Sequence, residues 1–351
     1  MDHERRRMGG VSAVTCAAVT ALAVACGGTT GIDRDTTPLP APPVTPTMPG
    51  FPSSAPTSAS TPTSSSTTSP STPGARPTST PQRKGGVPYV TPHVLLVMLE
   101  NKGYAATLGS CGADPYLCSL AAAYLSATAW FGVSHPSLPN YLGATSGSTQ
   151  GCNSDTCATG ITARDLGAQL SAARIPWVAY MESMPSACYS GPANGPYARK
   201  HNPFVYYVDN AYPCHDLPYP GSSGLIATLD SPAPPDFVWI TPNLNNDMHD
   251  GSVQQGNAWL AANLAPVFAS RWFTGGDATV IITMDENDAS PSPAGGQVPM
   301  VVISSTARGA GHRAIYGNHY GTLRTIEQAF GLALLGNALN PGNGDLYGYF
   351  G

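Results

Sequence analysis

The stretch SHPSLPNYL, residues 134–142, sets His135, Ser137 and Asn140 on backbone stiffened by two prolines. Proline fixes its own φ and restricts the residue before it, so the Ser137 hydroxyl is held still. Such a serine is either part of a plain polar turn or a nucleophile. Elsewhere, polar groups gather where apolar runs stop. Glu100 and Asn101 follow HVLLVML; Asn243, Asp247, His249 and Asp250 follow DFVWIT; Asp285 and Glu286 follow TVIITM. Carboxylates brought together repel one another unless protonated or neutralised. A divalent cation removes the conflict, and a donor set made of oxygen favours Mg, Ca or Mn. Beside such an ion a serine hydroxyl has a lowered pKa and attacks without a histidine base. His135, His249 and His319 could then bind the oxyanion of a substrate or protonate its leaving group.

Other chemistries fit less well. There is no GxSxG, so a nucleophile elbow is not indicated, and there is no HExxH. The glycines of PGNGDLYG (341–348) lack the preceding strand and following helix of a dinucleotide loop. Charged residues make up 11% of the chain, the formal net charge is −5, and no basic stripe occurs. Nucleic acid is therefore not an expected partner.

The residues that could do chemistry need elements to position them. Five short apolar runs, 93–101, 177–183, 236–243, 279–287 and 298–304, read as strands buried on both faces. Helical patterns lie between them at 114–125, 162–175, 252–273 and 319–335. In the second, Thr162 is a candidate cap with Asp165 in the first turn. Alternating strands and helices predict an α/β fold, a three-layer α/β/α sandwich with a largely parallel central sheet. In open α/β sheets ligands bind beyond the carboxyl ends of the strands, so the polar strand ends and the Ser137 loop should meet on one rim.

The N-terminus reads differently. Arg5, Arg6 and Arg7 precede an apolar stretch of small residues that ends in AVAC. Residues 1–25 read as a secretory signal peptide, open to either the general or the twin-arginine route. AVAC resembles a lipobox, with Ala23 where leucine is usual, which makes Cys26 the lipidated mature N-terminus; the alternative is simple cleavage and secretion. Residues 26–86 are rich in Pro, Ser and Thr and bury too little apolar surface to offset their ordering entropy. They are expected to form a disordered stalk reaching at most ~150 Å. The catalytic domain is expected over 87–351. Its six cysteines, Cys111, Cys118, Cys152, Cys157, Cys188 and Cys214, are even in number in an exported chain and so imply disulfides. Their order suggests pairing between neighbours. A zinc site fits poorly, because no CxxC occurs.

The motifs MLENKGY, SHPSLPNYL, PNLNNDMHDG, TMDEND and GNHYGTLRTIEQAFGL occur in that order. Together, over about 93–335, the chain resembles the phosphoesterase family of acid phosphatases and bacterial phospholipases C, within the alkaline phosphatase superfamily. The resemblance implies an alkaline phosphatase-like fold and a metal-dependent hydrolase of small phosphate esters with a phosphoserine intermediate. It implies Ser137 as nucleophile and metal ligand, with Glu100, Asn101, Asp285 and Glu286 completing the metal site. Some members carry two aspartates where this chain has Asp285 and Glu286. It puts His249 and Asp250 in the motif that supports the substrate phosphate, and His319 in the C-terminal motif. His135 and Asn140 belong to the nucleophile loop; His135 either holds that loop or touches substrate. Because the family's phospholipases are larger, phosphomonoesters are the expected substrates. The alternatives are a phospholipase C or phosphodiesterase of the same family, and a surface lipoprotein that binds a ligand without turnover.

Overall fold

The computed structural model describes residues 93–350 apart from 209–213, 289–292 and 308–309. The predicted signal peptide, Cys26, the stalk and residues 87–92 lie outside the described residues. A nine-stranded sheet forms the centre. Its strands are β1 (His93–Leu99), β2 (Leu125–Phe131), β3 (Trp177–Met181), β4 (Asp216–Pro218), β5 (Phe237–Thr241), β6 (Ala278–Met284), β7 (Gln297–Val298), β8 (Met300–Ser304) and β9 (Gly311–Asn318). The order is β4-β3-β5-β1-β6-β8-β2-β7, with β9 paired to β2. The pairs from β4 to β6 are parallel, whereas β8 runs antiparallel to both β6 and β2.

Covering both faces of the sheet demands apolar residues at consecutive positions, not at alternate ones. That is what β3, β5 and β6 contain: every residue in them is buried. Among the described residues seven α-helices complete the fold: α1 (Pro115–Ala123), α2 (Ser137–Ser146), α3 (Leu166–Ala173), α4 (Gly221–Leu229), α5 (Val253–Ala269), α6 (Arg271–Thr274) and α7 (His319–Ala329). They form two layers: α5 touches α1, α4 and α6, and α2 touches α3 and α7. The expected three-layer α/β/α sandwich with a largely parallel sheet is the observed architecture.

Several expected boundaries move for identifiable reasons. Thr162 lies outside α3. Its cap is Asp165, whose carboxylate accepts from Ala168 N at 3.0 Å. The expected helix over 252–273 is two helices, because Ser270 ends α5 and its hydroxyl starts α6 by accepting from Phe273 N at 3.2 Å. The last helix stops at Ala329, and Gly331 follows at φ 66°, a conformation that costs glycine little. Pro299 has no N–H to give a ladder and divides the 298–304 run between β7 and β8. Ser137 opens a helix instead of sitting in a loop; Pro139 is tolerated there because it falls in the first turn.

Cys111 is bonded to Cys118, Cys152 to Cys157 and Cys188 to Cys214. Among the described residues no helix is long and apolar enough to cross a membrane.

Candidate active site

Register brings the acids together. Leu99 of β1 is paired with Met284 of β6, so the residues after them leave the sheet side by side. Asp285 N donates to Leu99 O, and Asn101 N donates to Asp285 Oδ1 at 3.1 Å. Asn101 holds a left-handed φ of 48° at this crossing, a conformation Asn tolerates better than most residues. On the other side of β1, Glu100 N donates to Asp247 O at 2.8 Å in the loop after β5. Glu100 is therefore clamped by the loops of both neighbouring strands.

Helix α2 supplies Ser137, the expected nucleophile. Ser137 is 1% exposed, and its Oγ donates to Glu100 Oε2 at 2.9 Å and to Glu286 Oε1 at 3.4 Å as alternatives. One turn on, Tyr141 OH donates to Glu100 Oε1. Residues four apart share a helix face, so one face of α2 grips both oxygens of one carboxylate. The N-cap of α2 is Pro136, which offers no capping side chain. Asp155 acts in its place, accepting from Leu138 N at 3.1 Å. The loop entering α2 passes close beneath: a Cβ at Gly132 would stand 2.7 Å from Asp285 O, so glycine is required for that approach.

The other expected residues are braces or rim groups. Asn140 Oδ1 accepts from Val133 N and Ser134 N, while its Nδ2 donates to Ser134 O; its amide is spent on holding the loop. His319 is fully buried, bonded through Nε2 to Asp285 O, with Nδ1 unpartnered. Burial brings its pKa down to about 4, against the opposing effect of the Asp285 carbonyl, so it is neutral. His135 Nδ1 meets Glu286 Oε2. Burial lowers the pKa of His135 and raises that of Glu286 to about 9, with Asp285 adding to the latter. Both shifts favour the uncharged forms. His249 lies on the rim, Nδ1 2.7 Å from Asp250 Oδ1 and Nε2 3.2 Å from Lys200 Nζ. Asp250 is exposed.

Four residues at the site were given no role from sequence. His201 lies with Nε2 3.2 Å from Glu100 Oε2 and Nδ1 3.3 Å from Asp247 Oδ2. Its ring stacks on Tyr141 with centroids 5.4 Å apart. Burial, then Lys200 and His249, hold its pKa well below the usual value. Lys200 donates to Asp155 Oδ2 at 2.8 Å. The only sequence signal for Lys200 and His201 is a basic pair inside the span that Cys188 and Cys214 close. Asp155 lies in the short Cys152–Cys157 loop.

Glu100, Asp247, Asp285 and Glu286 are all buried. Burial first, and then mutual repulsion, push Glu100 and Asp247 well above the carboxylate range, and burial pushes Asp285 to about 6. A cation would reverse these shifts. Asn101 Oδ1 and Asp285 Oδ2 are buried without a hydrogen-bond partner, which an oxygen-ligated ion would satisfy. A second group that could hold a metal, Glu100, His201 and His249, brings its ligand atoms within 4.8 Å of one another. There the Lys200 ammonium already faces the His249 lone pair, so the oxygen set is the better fit.

The sequence model of the Phosphoesterase family matches residues 111–333, which include Ser137, Asp285 and Glu286 but begin after Glu100 and Asn101. A phosphatidylinositol-3-phosphatase of Mycobacterium tuberculosis is 33% identical over 258 residues, covering 73% of this chain and 83% of that protein. A phosphate-repressible acid phosphatase of Penicillium chrysogenum is 29% identical over 256 residues, 68% of this chain and 59% of that protein. An alkaline phosphatase superfamily protein of Vibrio parahaemolyticus shares the fold, with a TM-score of 0.53 at 12% identity over 72% of this chain and 70% of that one.

Proposed function

The chain belongs to the phosphoesterase family, and from that premise we propose that it is an exported, metal-dependent phosphomonoesterase working through a phosphoserine at Ser137. It is a hydrolase of phosphoric esters; the finer reading rests on the site. The observation that carries it is the Ser137 hydroxyl, held 2.9 Å from Glu100 and 3.4 Å from Glu286 beside Asp285. Glu100 Oε2 is the acceptor placed for the hydroxyl proton. In the reaction Ser137 Oγ forms a bond to phosphorus as the bond to the leaving oxygen breaks; water then cleaves the Oγ–P bond, releasing phosphate. Glu100, Asn101, Ser137, Asp285 and Glu286 would hold a divalent ion, Mg, Ca or Mn, whose charge would ease deprotonation of the serine and offset the crowding of the acids. The chain's own residues aim the attack: Tyr141 and the β1–β6 register fix Glu100, His319 fixes Asp285, and Asn140 fixes the loop. His249, at the rim and oriented by Asp250, stands against the Lys200 ammonium through Nε2.

The acid phosphatase relatives support a monoester substrate. The mycobacterial relative favours one particular form of it, a phosphomonoester carried on a lipid headgroup. The disulfides support an extracellular setting, and the lipobox-like AVAC supports anchoring through Cys26. The test is turnover of an aryl phosphate, a matched aryl phosphodiester and phosphoinositide vesicles, with and without chelator. Fastest turnover of a monoester, lost with chelator and in Ser137→Ala, is expected. Wild-type turnover in Ser137→Ala would sink the nucleophile assignment, and faster hydrolysis of the diester would promote the phosphodiesterase alternative.

A further inference from the structure

An acid cluster that suits a metal ion is a poor host for a dianion. Glu100, Asp247, Asp285 and Glu286 carry up to four negative charges against the two of a divalent ion, so the occupied site would still repel the two charges of a phosphomonoester more than the single charge of a phosphodiester. Selection of monoesters therefore needs a fixed positive group from this chain over the reacting phosphate. Lys200 is placed for that. Its charge acts on Glu100, Asp247 and Glu286 alike. Burial works to deprotonate it, but Asp155, Glu100 and Asp285 more than compensate, so the ammonium stays charged.

Its attachment is specific. Two of the three N–H groups of the ammonium are directed at Asp155 Oδ2, 2.8 Å away, and His249 Nε2, 3.2 Å away. The third has no partner among the described residues. Asp155 gives its other oxygen to Leu138 N, the residue after the nucleophile. One carboxylate thus ties the cation and the first turn of the nucleophile helix together, and it does so from inside the Cys152–Cys157 loop. An ordinary surface ion pair contributes little and needs no such shared partner.

We propose that Lys200 binds the non-bridging oxygens of the substrate phosphate, that Asp155 is its positioning residue, and that the pair selects doubly charged monoesters over diesters. This rests on the hydrolase reading of the same site. Lys200 makes a charge-assisted bond to the anion, and such bonds are roughly twice as strong as neutral ones.

The experiment compares wild type, Lys200→Gln, Lys200→Arg and Asp155→Asn on an aryl phosphate and the matched methyl aryl phosphodiester, with inorganic phosphate binding measured by calorimetry. Removing such a bond should lower kcat/KM for the monoester by about 100-fold and that for the diester much less. Lys200→Arg should retain most of the discrimination. Asp155→Asn should lower the monoester-to-diester ratio at an unchanged thermal midpoint, which a merely structural role would not do. Phosphate affinity should fall in Lys200→Gln in step with the monoester loss. Equal losses on both esters, or unchanged phosphate affinity in Lys200→Gln, overturns the proposal. A wild type that binds phosphate without hydrolysing either ester sinks the hydrolase reading and leaves Lys200 to be judged by binding. A wild type that does neither overturns both.

Discussion

Replacing Asp216 with asparagine should stabilise the protein at alkaline pH and change little at acidic pH. Asp216 starts β4, pairs with Ala179 of β3, and is 4% exposed. Its Oδ1 has no hydrogen-bond partner. Burial raises its pKa from 3.8 to about 7, despite the opposing hydrogen bond from Asn202. The folded state therefore binds the proton more tightly than the unfolded chain. The stability this group contributes is full below the unfolded pKa near 4 and is lost as pH rises through about 7. At roughly 1.4 kcal/mol per pKa unit, a shift of about three units amounts to about 4 kcal/mol lost by pH 8. Asparagine stays neutral and keeps the shape, so Asp216→Asn should match wild type near pH 4 and exceed it by up to about 4 kcal/mol at pH 8.5. Asp114 and Glu327, with pKa values raised to about 7 and about 8 mainly by burial, slope the same way in both proteins and cancel in the difference. Reversible urea unfolding with the disulfides intact, at half-unit steps from pH 4 to pH 8.5, measures that difference. Parallel stability curves for the two proteins would refute the buried, uncompensated carboxyl.

Two further outcomes follow from the site. Asp285→Asn should lose bound divalent metal by elemental analysis along with activity, because it removes one of the buried oxygens without another partner; full metal content in the variant would move the ion elsewhere. Cys152→Ser with Cys157→Ser should cost about 2 kcal/mol through the opened short loop and should also lower monoester turnover through Asp155, whereas loss of stability at unchanged kcat/KM would separate the loop from the site.

What the sequence disclosed follows from which signals are local. Strands buried on both faces need unbroken apolar runs, so β1, β3, β5 and β6 were readable, and their polar ends announced Glu100, Asn101, Asp285 and Glu286. β2 mixes Ser, Thr and Ala with its aromatic residues, and β9 carries His312 and Arg313 on an exposed edge; neither holds a run or a clean alternation. Helix α2 was hidden by its two prolines, since its cap comes from Asp155 and not from a residue just before it. Lys200 and His201 sit on a short 3₁₀ turn, Arg199–His201, with no periodic pattern around them. Their partners are 45 and 101 residues away in the chain, Asp155 and Glu100 respectively, a pairing no local pattern encodes.

The site accordingly has two halves held by different means. The acids stand on the ends of adjacent parallel strands, where ladder register fixes them; moving Glu100 relative to Asp285 would require slipping β1 against β6 and would turn buried side chains to the other face. The groups proposed to meet the substrate phosphate stand on connecting segments with no ladder to hold them. There the Cys152–Cys157 bridge and the Cys188–Cys214 bridge carry Asp155 and Lys200, and one salt link joins the two loops above the start of α2. Metal binding should then survive reduction of the disulfides better than monoester selectivity does, because the first depends on the sheet and the second on the stapled loops.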